Sequence, residues 1–133
     1  MDEQERFASG QEMRRQILGD EWVERAQARI DANAFDAEYH EMVTRHVWAE
    51  IWQRPGLDRR TRSLTVMAML IALNRPEELR LHLSLSRKNG VSREEVKELL
   101  LQATVYAGVP AGRNAFLAAS EVFAEEDGEP SPG

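Results

Sequence analysis

Ten consecutive residues, Leu64 to Leu73, are apolar at every position except Thr65. A run this long, with no hydrophilic side, reads as a helix enclosed by protein all round, and it is about half of what a bilayer span needs. It is therefore the expected centre of a core. After a break at Asn74-Arg75-Pro76, a second helix carries Leu79, Leu81, Leu83 and Leu85 around an arc that also holds Glu78, His82, Ser86 and Asn89. Polar side chains within an apolar arc need partners or a function.

A chain of 133 residues with one dominant apolar run fits a single domain, expected over residues 1–124. The sequence contains no cysteine, which excludes disulfides, thiol nucleophiles and thiolate metal sites. A formal charge of −6 opposes binding to nucleic acid or to an anionic membrane surface, both of which need a basic field. The opening MDEQERFASGQEMRR lacks the basic start and apolar segment of a secretory signal, so a soluble cytoplasmic protein is expected. The final EEDGEPSPG is acidic and rich in glycine and proline, and disorder is expected over residues 125–133.

Helical punctuation recurs along the chain, and no strand-like alternation or long repeat interrupts it. A first helix is expected over residues 3–18 with Gly19 as its stop, and a second from Asp20 carrying Trp22, Val23, Ala26 and Ile30. The third, residues 36–52, has Phe35, Tyr39, Met42, Val43 and His46 on adjoining wheel positions, with Trp48 and Trp52 on another side. Two apolar faces imply two partners, one of them a subunit contact. Asp58 caps the central helix, where Arg62 heads the column Val66, Met69, Leu73. A fifth helix is expected from Pro76 to Asn89, a sixth opens at the capping box Ser92-Arg93-Glu94-Glu95, and the last runs from Ala111 to Ala124. The expected class is all-α, with six to seven helices.

Two His–Glu pairs stand one helical turn apart, His46/Glu50 and Glu78/His82. The second admits two readings. It is either a core histidine satisfied by a carboxylate, or an imidazole whose tautomer is set for proton transfer. A metal reading fails on pattern, because helical di-iron sites use Glu-x-x-His with further glutamates, which do not stand here. Phosphate-binding, dinucleotide-binding, zinc-protease and serine-hydrolase motifs are absent. A helix-turn-helix over residues 86–101 is opposed by Glu94, Glu95 and Glu98, which would repel a phosphate backbone.

The segments RHVWAEIWQRPGLDRRTRSLTVMAML, EELRLHL and NGVSREEVKELLLQATVYAGVPAGRNAF together resemble the carboxymuconolactone decarboxylase family, over residues 5 to 124. The resemblance implies the alkylhydroperoxidase-D-like helical fold, assembled as a homo-oligomeric trimer or hexamer, with no cofactor. Redox relatives of that fold carry Cys-x-x-Cys followed by three residues and then a histidine matching His82. Here Arg75 and Glu78 stand at the two cysteine positions, which removes thiol chemistry. The implied activity is decarboxylation of a dicarboxylate lactone to the β-ketoadipate enol-lactone, in protocatechuate catabolism. A non-catalytic helical oligomeric binding module of the same fold is the alternative. Within this frame we expect His82 to deliver the proton, Glu78 to orient the ring and raise its pKa, and Arg62 to hold a substrate carboxylate or oxyanion. His46, Trp48 and Tyr106 are expected to line the substrate pocket, with Glu41 as a weaker candidate and no metal ligand.

Overall fold

A computed structural model describes residues 2–129. All regular structure among them is helical, in agreement with the expected class. The chain divides into two compact units, one ending at Leu57 and the other beginning at Asp58.

In the first unit, Asp2 caps α1 (Glu3–Leu18) through a capping box with Glu5, and Gly19, at φ 89°, turns the chain into α2 (Asp20–Ala32). A single 3₁₀ turn (Ala34–Asp36) leads into α3 (Ala37–Val43), which then widens into a π-helix over Thr44–Ile51. Ile17, Leu18, Val23, Ala26, Thr44 and Trp48 are the buried residues of these elements. Gly10 is buried too, and a β-carbon there would overlap the carbonyl oxygen of Thr44, so glycine permits the close approach of α1 to the π segment. The Thr44 hydroxyl donates to the His40 carbonyl at 2.8 Å. The expected uniform helix over residues 36–52 is thus three windings in succession. Faces drawn at 100° per residue fail accordingly: Phe35 is 95 % exposed, while Trp48, placed on another side of the helix, is buried and stacks on Trp52 at 5.5 Å.

In the second unit, the Asp58 side chain accepts the Thr61 N–H at 2.7 Å and starts α4 (Arg59–Ala72). Asn74, in the left-handed region at φ 55°, reverses the chain into α5 (Pro76–Ser84). Successive turns then carry it to Gly90, where a β-carbon would lie 3.6 Å from the Arg60 β-carbon. That contact fixes α4 and α5 as an antiparallel hairpin. A Ser92–Glu95 capping box opens α6 (Arg93–Ala107), and Gly108, at φ 105°, precedes α7 (Val109–Glu126) with Pro110 in its first turn. Met67, Ile71, Leu79, Leu83, Val91, Val96, Leu100, Ala115, Ala118, Ala119 and Val122 form one core.

Three expectations change here. The apolar run is not enclosed on every side: Met67 and Ile71 are buried, but Met69 and Leu73 are 58 % and 61 % exposed. The buried column of α4 is therefore Ser63, Met67, Ile71 rather than the Val66, Met69, Leu73 column expected behind Arg62. A run apolar all round carries no asymmetry from which to choose its inner stripe. The fifth helix ends at Ser84, five residues early, although His82, Ser86 and Asn89 of its polar arc still point inward. Finally, Glu125 and Glu126 belong to α7, and Arg93 pairs with Glu126 at 3.1 Å and Asp127 at 2.8 Å while lying over the Phe123 ring. Of the expected acidic tail, residues 130–133 lie outside the described residues.

Candidate functional site

α5 buries Leu79 and Leu83 on one stripe, and the polar residues of that stripe go in with them. His82 is 9 % exposed, Ser86 and Asn89 3 % each, and Ser63 of α4 is fully enclosed. Buried polar atoms are normally hydrogen-bonded, and here only Ser86 is, donating to the Leu83 carbonyl at 2.7 Å. The Ser63 hydroxyl, His82 Nδ1 and both amide atoms of Asn89 have no protein partner. Burial disfavours the charged imidazolium and holds the His82 pKa below its ordinary value of 6.5. The ring is thus predominantly neutral at pH 7.

Glu78 does not make the expected pair with it. It is exposed in the first turn of α5, and no hydrogen bond or ion pair joins it to His82. A carboxylate there is favourably placed against the helix N-terminus and remains in water, because burial on α5 begins at Leu79. The His82 pKa is consequently lowered by burial, where a carboxylate neighbour would have raised it. Arg62 is half-buried on α4 with its Nε shielded from solvent, and the contact of Arg60 with Gly90 places it toward the Asn89 end of the hairpin.

Tyr106 is 85 % exposed and borders a cavity of ≈ 290 Å³ between α4 and α6, walled by Ala68, Ala72, Leu99, Gln102, Ala103 and Ala107. Neither His82 nor Arg62 lines it. In the first unit, His46 is exposed and its Nδ1 lies 3.3 Å from Glu50, whose carboxylate also meets Arg6 at 3.5 Å. Trp48 is buried beside Trp52, and Glu41 is exposed near Arg45. Among the described residues no three His, Asp or Glu side chains converge to hold a metal ion. No helix among them is long and apolar enough to cross a membrane.

The second unit therefore gathers a buried neutral imidazole, an amide, two hydroxyls and a half-buried guanidinium at one hairpin. Ser63 was not singled out by sequence. Its signal was its spacing, four and eight residues before the buried Met67 and Ile71. An imidazole in such surroundings can exchange a proton with a carbanion, and a guanidinium can hold a carboxylate.

The sequence model described as the carboxymuconolactone decarboxylase family matches residues 37–121. The chain is 42 % identical to the 4-carboxymuconolactone decarboxylase of Acinetobacter baylyi over 123 residues, covering 92 % of this chain and 90 % of that protein. It is 39 % identical to a nitrosuccinic acid decarboxylase of Metarhizium robertsii, covering 78 % of this chain and 71 % of that one. A 4-carboxymuconolactone decarboxylase of Pseudomonas putida is 44 % identical over 46 residues, covering 35 % of this chain and 92 % of that protein.

Proposed function

The chain belongs to the carboxymuconolactone decarboxylase family, and from that premise we propose that it is a carboxy-lyase converting 4-carboxymuconolactone to the β-ketoadipate enol-lactone in protocatechuate catabolism. The observation that carries this reading is the 42 % identity to a protein of that activity along nearly the whole of both chains. A relative named for nitrosuccinic acid supports the coarser element, loss of carbon dioxide from a polycarboxylate.

The chemistry needs no external electron sink. The carboxylate leaves from the ring carbon γ to the lactone carbonyl, and the electron pair of the broken C–C bond moves through the ring alkene onto the carbonyl oxygen of the lactone. Protonation at the carbon α to the carbonyl then restores the lactone. The protein must hold two carboxylates, stabilise the developing oxyanion and deliver one proton. Arg62 is the proposed carboxylate or oxyanion partner and His82 the proposed donor. A depressed pKa makes the His82 imidazolium, once formed, a stronger acid toward carbon. Glu78, one turn before His82 and in water, is retained as a candidate that must turn its side chain to take part. His46, Trp48 and Tyr106 are proposed pocket-lining residues.

We place the enzyme in the cytoplasm as a homo-oligomer, a trimer or hexamer. Support for assembly comes from Met69, Leu73, Val105, Tyr106 and Val109, large apolar side chains all more than half exposed on the second unit. Supplying purified protein with 4-carboxymuconolactone and following carbon dioxide tests the activity. The non-catalytic binding-module reading requires that none be released.

A further inference from the structure

We infer that the first unit holds a further ligand site, a cavity walled by α1, α2 and α3 that takes a small organic carboxylate with its charged end on Arg14. Every residue lining the cavity belongs to that unit, and the site shares none with the group around His82.

Spacing along the helices builds the cavity. Phe7, Gln11 and Arg14 stand at i, i+4 and i+7, so they turn one face of α1 toward it, and Ile30 and Ala37 meet that face from α2 and α3. Phe7, Ile30 and Ala37 are half-buried and give the cavity its apolar wall, while Gln11 and Arg14, one turn apart, give it a polar one. Its volume of ≈ 290 Å³ lies at the small end of ligand pockets, which begin near about 300 Å³.

Arg14 is the anomalous charge of the unit. Arg6, Arg15, Arg25 and Arg45 each pair with a carboxylate. Arg14 pairs with none among the described residues. Its guanidinium carbon lies 5.8 Å from the centre of the Trp22 ring, close to the outer limit of a cation–π contact, and the ring offers no oxygen to the N–H donors of the fork. Half-buried, the group has lost part of its hydration, and this burial, followed by the neighbouring charge of Arg15, lowers its pKa. A guanidinium does not escape by losing its proton, so an incoming acceptor is favoured.

The two acidic residues on the lining do not answer that charge. Asp31 accepts from Gln27 Nε2 at 2.9 Å, and Glu41 faces Arg45 at 3.8 Å. Both are exposed, where water and salt screen them. A carboxylate matches the guanidinium fork in a bidentate contact, the Gln11 amide supplies one more donor, and an apolar body covers the Phe7, Ile30 and Ala37 wall.

The probe is benzoate, titrated into the full-length chain beside benzamide, its neutral isostere, and benzylammonium, a cation of similar size. The Trp22 indole N–H and the Gln11 and Gln27 side-chain amides report the site in ¹H–¹⁵N spectra. Wild type should show saturable shifts of these signals with benzoate, with a Kd on the order of 1 mM or tighter, and binding of benzamide weaker by about tenfold or more. Arg14→Gln should weaken benzoate by about tenfold or more and Arg14→Lys by less, since lysine keeps the charge and loses the fork. Arg62→Gln should leave the shifts in place, which assigns them to the first unit. Absence of saturable shifts at these signals, equal binding of benzamide, preference for benzylammonium or undiminished binding by Arg14→Gln would overturn the proposal. Should Arg14→Gln fail to fold, Ala37→Leu, which fills the cavity, should abolish the shifts, and retained binding there overturns the proposal equally.

Discussion

His82 is the residue on which sequence, burial and proposed chemistry converge, and its environment makes two predictions. His82→Gln should reduce decarboxylation by 10²-fold or more, within the range typical for loss of a positioned acid–base group, with the fold retained by circular dichroism. The second concerns pH. Burial places the folded-state pKa below the unfolded value near 6.5, so between the two the unfolded chain binds more protons and stability rises with pH. The histidine's contribution is complete above about pH 6.5 and is lost as pH falls toward the folded pKa. Urea unfolding at pH 7.5 and 5.5 should show the loss in wild type and a flatter dependence in His82→Gln; an identical slope in both would contradict it. The place of His82 was legible because the 3.6-residue period locates an inward arc. The place of Glu78 was not, because periodicity gives direction around a helix and says nothing about where along it burial begins. Ser63 was hidden for the opposite reason: one hydroxyl ahead of an all-apolar run does not reveal which stripe turns inward.

At the scale of elements, helix ends were the most readable features. Asp58, Ser92 and Gly19 act as the sequence indicated, since caps and positive-φ turns are decided by a few local atoms. Replacing Ser92 by alanine should remove the acceptor of the Glu95 N–H and cost about 1 kcal/mol in urea unfolding. Helix winding was less readable. The π segment begins at Thr44, where α1 seats against it at Gly10, a contact between residues far apart in sequence. The α6–α7 packing has the same character: a β-carbon at Gly112 would overlap Thr104, whose hydroxyl is held by the Leu100 carbonyl at 2.8 Å. Gly112→Ala should therefore destabilise by about 1–3 kcal/mol despite the higher helix propensity of alanine, and a neutral or stabilising result would show that α7 can move away freely.

At the scale of the whole molecule, exposed apolar residues recur on α4 and α6, and those of α4, Met69 and Leu73, stand on the side that the sequence marked as core. Hydropathy records that a side chain avoids water and is silent on whether its own chain or another copy covers it. If the chain assembles as proposed, Val105→Glu, at a position 79 % exposed, should shift sedimentation to smaller species without lowering the stability of the core; an unchanged sedimentation coefficient would place the interface elsewhere. The central claim is that this helical chain removes a carboxylate using its own histidine. Its most direct test is carbon dioxide release from 4-carboxymuconolactone by purified wild-type protein and by His82→Gln side by side. The account predicts release with formation of the enol-lactone by wild type and a rate lower by 10²-fold or more in the variant. No release by wild type, or an undiminished rate in His82→Gln, would contradict it.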